Sequence, residues 1–208
     1  LLSQLLGSFS IAVLDPANRR LLLAVDRMGI ETLCYAPLEP GGLIFGSTTE
    51  QVKAHPRVGA TVSEQSIFNY LYCGICPSPG TIYREQRKLL PAQRLVYDAK
   101  GLALDFYWQM PYHEHSDVPE SELCGSLREI LRNAVKRSIH ASHDGSTGAF
   151  LSGGLDSSTV AGLLSEATNR KTKTFTVGFA QKEYDEVHYA EIAARHFGTE
   201  HHNYFLSP

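Results

Sequence analysis

Phe150-Leu151-Ser152-Gly153-Gly154-Leu155-Asp156-Ser157-Ser158 decides the fold of the second half of this chain. A short apolar approach ends in a Ser-Gly-Gly turn, and beyond it Val160, Leu163, Leu164 and Ala167 recur at helical spacing. The segment therefore predicts a strand, a tight loop and a helix that starts at the loop. Two glycines let the backbone turn successive N–H groups inward with no Cβ between them and a ligand. The helix adds its unpaired first-turn N–H groups and the positive end of its dipole at the same point. With the hydroxyls of Ser152, Ser157 and Ser158 as further donors, the loop is a candidate anion site. Asp156 is the odd member, because a carboxylate beside a phosphate repels it unless a divalent cation lies between them. Magnesium with a polyphosphate is the simplest ligand pair. The competing interpretation is an ordinary strand-turn-helix in which Asp156 merely caps the helix.

The loop lacks the Gly-x-x-x-x-Gly-Lys-Ser/Thr pattern, and with it the lysine that reaches terminal phosphates in Walker-type sites. It also lacks Gly-x-Gly-x-x-Gly, which disfavours a dinucleotide site. Ser-Gly-Gly-Leu-Asp-Ser-Ser resembles the PP-loop of ATP pyrophosphatases, which cleave ATP between the α and β phosphates and transfer AMP to a substrate. That resemblance implies a loop that grips the departing pyrophosphate.

Length and composition bound the rest. The 208 residues suit one large or two small domains, and a net charge of -3 with 43% hydrophobic content describes a globular chain with no basic excess for nucleic acid. No run approaches the ~18 apolar residues of a membrane span. The N-terminus has no initiator Met and no basic segment of the signal-peptide kind, so the chain is expected to be the middle of a longer protein. Four irregularly spaced cysteines make no disulfide framework and fit a reducing cytoplasm. Cys73-Gly74-Ile75-Cys76 is a single pair without two further zinc ligands at suitable spacing, and is expected to be two buried small side chains.

The first part of the chain predicts meandering antiparallel strands. Phe9, Ile11 and Val13 alternate with small residues before the turn Asp15-Pro16-Ala17-Asn18, and Leu21–Val25 returns. Asp26-Arg27-Met28-Gly29-Ile30 breaks the pattern; Leu33-Cys34-Tyr35 and Leu43-Ile44-Phe45-Gly46 resume it. Ser63 caps a short helix that Gly74 ends. Thr81–Tyr83, Arg94–Tyr97 and Ala103–Trp108 are expected as edge strands and connections, closing a first domain over residues 1–110. Residues 111–119, polar and with two prolines and two histidines, form the linker.

The second domain, 120–208, opens with an amphipathic helix capped within Asp117–Glu120 and striped by Leu123, Leu127, Ile130, Leu131, Ala134, Val135 and Ile139. After a loop at His143–Thr147 come the strand and loop quoted above, then a buried strand Thr174–Phe179. Asp185 is expected to cap a helix with Ala190, Ala193, Ala194 and Phe197 inward and Gly198 as its stop, and a third strand begins at His201. This is β-α-β-α-β, a parallel sheet with right-handed crossovers.

In order along the chain, Leu6–Asp15, Leu23–Ile30, Phe45-Gly46-Ser47, Ala54-His55-Pro56, Pro77–Tyr83, Lys88–Pro91, Gly148–Ser158 and Thr174–Phe179 resemble the glutamine-dependent asparagine synthetases. The resemblance covers nearly the whole chain. It implies an α+β Ntn-type αββα sandwich, in part, followed by the start of an α/β PP-loop domain with a parallel sheet. It implies an enzyme that activates a carboxylate, aspartate or another, with ATP and magnesium, and amidates it with ammonia from glutamine. By the same resemblance Ser152, Gly153, Gly154, Leu155, Asp156, Ser157 and Ser158 hold ATP and pyrophosphate, Asp156 is the catalytic residue and binds magnesium, and Phe150, Val177 and Gly178 flank the adenine. The expected partners are these small molecules and a second copy of the chain in a homodimer.

The departures from the family concern the first domain and the far end of the second, where the family's second nucleotide-binding and aspartate-binding motifs are missing from these 208 residues. The family's glutaminase uses an N-terminal Cys whose own α-amine is the base; that position is upstream of Leu1, and none of Cys34, Cys73, Cys76 or Cys124 can substitute. As the middle portion of such an enzyme, the isolated chain is expected to be inactive. Thr48-Thr49 stands where many members have an acidic residue followed by an apolar one, and Glu31-Thr32 replaces Lys-Pro. A β-lactam-synthetase or lasso-cyclase type of carboxylate-activating enzyme, with a non-catalytic glutaminase-like domain, is the alternative. His201 and His202 are expected to be structural, His113 and His115 solvated, and Asp26 with Arg27 an ion pair of small net worth.

Overall fold

A computed structural model describes residues 1–112, 117–140, 147–168, 170–179 and 186–206. The chain divides into two compact units, Leu1–His113 and Glu114–Pro208. The linker histidines His113 and His115, most of the 143–147 loop and Asp185 lie outside the described residues.

In the first unit, β1 (Ser10–Asp15) and β2 (Arg20–Val25) form a hairpin in the register Ser10↔Val25 to Asp15↔Arg20. Its turn closes as the Asp-Pro-Ala-Asn signal implies: Asn18 N and Nδ2 donate to the Asp15 carboxylate at 3.1 and 2.7 Å. β3 (Cys34–Pro37) and β4 (Leu43–Gly46) make a second antiparallel pair. Then follow α1 (Thr49–Lys53), α2 (Glu64–Cys73), β5 (Arg87–Lys88), β6 (Gln93–Asp98) and β7 (Gly101–Phe106). The strands divide into two sheets, β1-β2-β6-β7 and β4-β3-β5.

β3 explains why the sheets stack. Leu33 and Tyr35 point into a core with Leu23 and Val25 of β2, Leu89, and Leu95 of β6, while Cys34 and Ala36 point the other way, onto Val52 of α1 and Val58. Period-two alternation thus buries both faces of one strand, giving sheet, sheet and helix in layers.

Three expectations for this unit need correction. Arg94–Tyr97 is not at an edge; β6 lies between β2 and β7, and Leu95 is fully buried, because the β6–β7 hairpin adds onto β2. Thr81–Tyr83 makes no ladder beyond the single bridge Val62↔Tyr83, since Thr81 Oγ1 bonds the Tyr83 backbone into a turn. Of the Cys-x-x-Cys pair, Cys73 is exposed and Cys76 only half-buried, its Sγ donating to Ser66 O. Helix α1 was not foreseen, although Thr48-x-x-Gln51 is a capping-box signature and both of its reciprocal bonds form.

The second unit runs α3 (Glu120–His140), β8 (Gly148–Phe150), α4 (Leu155–Ala167), β9 (Lys173–Phe179), α5 (Val187–Phe197) and β10 (Glu200–Leu206). Its three strands are parallel in the order β10-β9-β8. α4 and α5 pack on each other and on the sheet, around Leu151, Ala161, Ala190 and Ala194. Gly198, in the left-handed conformation at φ 64°, ends α5 as its sequence implies. The buried face of α4 holds Leu163 and Leu164 as expected, but Ala161 and Gly162 join them, whereas Val160 is 46% exposed and Ala167 only half-buried. Small residues win the inward positions because Gly162 admits the Phe197 ring to 2.8 Å from where a Cβ would stand. α3 lies along α4, and Arg128 and Arg132 reach Glu166 at 3.0 and 2.9 Å.

Candidate functional site

β8 delivers the loop. Its last bond to β9 is Leu151 N to Phe175 O at 2.9 Å, and the buried Thr176 hydroxyl donates to the Leu151 carbonyl, so the chain is pinned where it leaves the sheet. Sequence inspection missed Thr176. Its signal was the alternation Thr172, Thr174, Thr176, all buried toward the helices, with Thr174 bonded to Thr199 at 2.8 Å and to His201 Nδ1 at 2.9 Å. His201 is thereby a structural residue of the sheet, and His202 bonds Glu200 and stacks on Phe175.

Gly153 then takes φ +79°, a conformation that favours glycine. A Cβ there would stand 2.5 Å from the Tyr189 backbone carbon and Cβ and 2.7 Å from Ala190 N, so the first turns of α5 form the wall behind the loop. Tyr189 was likewise not singled out from sequence. Gly154 is the N-cap of α4 and provides no side-chain cap, and the first helical bond is Ser158 N to Gly154 O at 3.0 Å. The N–H groups of Leu155, Asp156 and Ser157 precede it and so lie in the turn that α-helical bonding leaves open.

The loop residues Ser152 to Ser158 are brought together around this helix start. Gly154, Leu155 and Asp156 are exposed, Leu155 at 84%, while Ser152, Gly153, Ser157 and Ser158 are half-buried. The serines bond within the loop: Ser152 N to Ser157 Oγ at 3.2 Å, the two Oγ atoms at 2.9 Å, Gly154 N to Ser152 Oγ at 3.3 Å and Ser157 Oγ to Gly154 O at 3.2 Å. Asp156 does not serve as the helix cap of the competing interpretation, since it sits inside α4, one residue past its start.

Of the adenine-flanking candidates, Phe150 and Val177 share the sheet face opposite the helices and are 79% and 41% exposed. Gly178 is not with them. It faces the helices, where Phe205 and Val187 fill the place of a Cβ at 2.6 and 2.8 Å. Beside the loop, α3 and α4 border a mostly apolar groove of about 650 Å³ that reaches Leu155, Asp156 and Ser158 and ends at Phe197. Glu166 at its side is held below the usual carboxylate range by hydrogen bonds from Arg132 and Arg128.

Among the described residues no group of three or more His, Cys, Asp or Glu is gathered to hold a metal. A magnesium ion bound mainly through substrate phosphates and water needs only one or two carboxylates, and the single exposed Asp156 on the open turn fits that donor set. No helix among the described residues is long and apolar enough to cross a membrane.

In the first unit the expected Asp26–Arg27 pair is replaced by a different arrangement. Asp26, 1% exposed, accepts backbone N–H bonds from Phe9, Met28, Ile30 and Glu31 at 2.9–3.3 Å. Arg27 turns away, to Ser3 O at 2.6 Å and over the Trp108 ring. Two of the residues that depart from the family pattern have structural work: Thr48 caps α1, and Thr32 Oγ1 donates to Ser47 O at 2.7 Å.

Comparison with known proteins places this geometry in a class. Residues 1–108, over half of the chain, match the glutamine amidotransferase domain, and residues 126–208 match the asparagine synthase family. By class, the chain thus belongs to the proteins that carry a glutamine amidotransferase domain. Within that class it belongs to the asparagine synthetase family. A putative glutamine-hydrolyzing asparagine synthetase 2 of Methanocaldococcus jannaschii is 31% identical over 205 residues, covering 96% of this chain and 39% of that protein. The glutamine-hydrolyzing asparagine synthetases 3 and 1 of Bacillus subtilis are 27% and 25% identical over 97% and 99% of this chain, and 34% and 32% of their own lengths. The chain therefore spans about a third of the length of these curated relatives, or slightly more.

Proposed function

We propose that the polypeptide carrying this chain is an ATP-dependent carbon–nitrogen ligase that amidates a carboxylate, aspartate in the simplest case, with ammonia taken from glutamine. A carboxylate oxygen attacks the α-phosphorus of ATP, the bond between that phosphorus and the bridging oxygen breaks, and pyrophosphate leaves. Ammonia then attacks the acyl carbon of the adenylate and AMP departs with the electron pair of the carbon–oxygen bond. Residues 1–110 act as the glutaminase-type domain of Ntn kind, 111–119 as the linker and 120–208 as the start of the PP-loop domain.

The observation that carries this reading is the open first turn of α4, reached through a loop whose second residue, Gly153, is held at φ +79° against α5. Ser152, Gly153, Gly154, Leu155, Ser157 and Ser158 surround the pyrophosphate, with the open N–H groups of Leu155, Asp156 and Ser157 as preorganised donors, so no protein nucleophile is needed. Asp156 holds magnesium, which neutralises the phosphate charge. Phe150 and Val177 border the adenine from the exposed sheet face, and Gly178 supports that wall from the opposite side. The enzyme acts in the cytoplasm.

Exchange of labelled pyrophosphate into ATP, driven by aspartate, tests this. Asp156→Ala should lower exchange by roughly a hundredfold or more, on the scale of losing one transition-state donor, with the circular-dichroism spectrum unchanged. Exchange at the original rate would overturn the assignment, and exchange driven by another carboxylate but not aspartate would replace the acceptor.

A further inference from the structure

We infer that Ser152 and Ser157 form a hydroxyl clasp across the phosphate loop, and that pyrophosphate exchanges this clasp for two hydroxyl–phosphate bonds, so that the two serines act as one coupled unit. This rests on the reading of the loop as a pyrophosphate site and goes beyond it by stating how the site opens.

A serine hydroxyl has one donor and two acceptor lone pairs. The contact between Ser157 Oγ and Gly154 O at 3.2 Å takes the Ser157 proton, because a carbonyl can only accept. The 2.9 Å contact between the two Oγ atoms is then filled by the Ser152 proton. Ser157 Oγ also accepts from Ser152 N at 3.2 Å, so its donor and both its lone pairs are used. Ser152 Oγ in turn accepts from Gly154 N at 3.3 Å. Neither hydroxyl has a proton left for an anion.

A phosphate oxygen can therefore receive these protons only after the Ser152–Ser157 and Ser157–Gly154 bonds part. Gly154 is exposed, so water can take over its carbonyl. The exchange is downhill because hydrogen bonds to an ionised acceptor are roughly twice as strong as neutral ones. The backbone donors at the start of α4 need no such release and meet the anion first.

Coupling of this kind has a sign. If the clasp exists before binding and not after, each single Ser→Ala variant loses one phosphate bond but is also relieved of opening the clasp. The double variant loses both phosphate bonds and is relieved of the clasp only once. Pyrophosphate with magnesium, titrated calorimetrically into the protein and its Ser152→Ala, Ser157→Ala and double variants, reads this directly. We expect losses of about tenfold for each single variant and several hundredfold for the double, more than the product of the singles. Thermal unfolding without pyrophosphate should show the opposite pattern, the double variant destabilised about as much as the larger single.

Affinity losses that multiply, or a double variant weaker by less than the product, would overturn the clasp while leaving the pyrophosphate site standing. No binding by the unaltered protein would overturn the site and the clasp together.

Discussion

Asp26 shows how a single buried carboxylate organises its surroundings. Burial pushes its pKa up, but the N–H groups of Glu31, Ile30, Phe9 and Met28 together outweigh that and hold the carboxyl below the ordinary value. A depressed folded pKa means stability that is present above the unfolded value, near ~4, and lost as pH falls through the folded one. Asp26→Asn puts a donor where one oxygen accepted two N–H groups, and should destabilise by about 3 kcal/mol at neutral pH. Chemical denaturation should show the gap between the two proteins narrowing below about pH 4; a gap independent of pH would exclude the carboxylate as its source. Gly153 is the corresponding residue in the second unit. Gly153→Ala meets both a positive φ and the 2.5 Å approach to Tyr189, and should lower stability by about 2–3 kcal/mol while weakening pyrophosphate binding. Retention of full affinity in that variant would show that the wall formed by α5 does not shape the loop.

At the scale of elements, α1 is held by its cap more than by its length. Five residues are too few to sustain a helix alone, and the reciprocal Thr48 and Gln51 bonds satisfy donors that would otherwise be open. Thr48→Ala should cost about 1 kcal/mol in equilibrium unfolding, and Thr48→Ser close to nothing. α3 behaves differently. Its predicted stripe is apolar, yet Leu127 and Ile130 are 57% and 63% exposed, because among the described elements of its unit it packs chiefly along α4. The exposed Arg128 and Arg132 contacts to Glu166 contribute little, and Arg128→Ala should shift stability by less than ~1 kcal/mol.

For the molecule as a whole, stability in the first unit resides between its two sheets. Leu23 and Leu95 are fully buried there and meet Leu33, Tyr35 and Leu89 from the facing layer. Leu95→Ala removes a side chain from the inner strand of the larger sheet and should cost about 3–4 kcal/mol, measurable as a lowered denaturation midpoint. The second unit instead closes its helix layer with alanines at 161, 190 and 194 and glycine at 162, so its helices approach closely and its loop is fixed by backbone contact.

What the chain's own letters determined was local: the Asp15–Asn18 turn, the strand–loop–helix around Gly153 and Gly154, the small-residue face of α5 and its stop at Gly198. Each depends on neighbours within a few residues, so its chemistry is written in consecutive positions. The resemblance along the whole chain also pointed to the family that the comparisons then established. Tertiary structure alone decided that β6 lies inside its sheet, that Thr176 pins Leu151, and that Asp26 also accepts from the distant Phe9 N–H while Arg27 turns to Ser3. Those outcomes depend on which strand pairs with which and on which face a residue lands. Both are set by contacts between segments far apart in sequence, and no local pattern of residues encodes them.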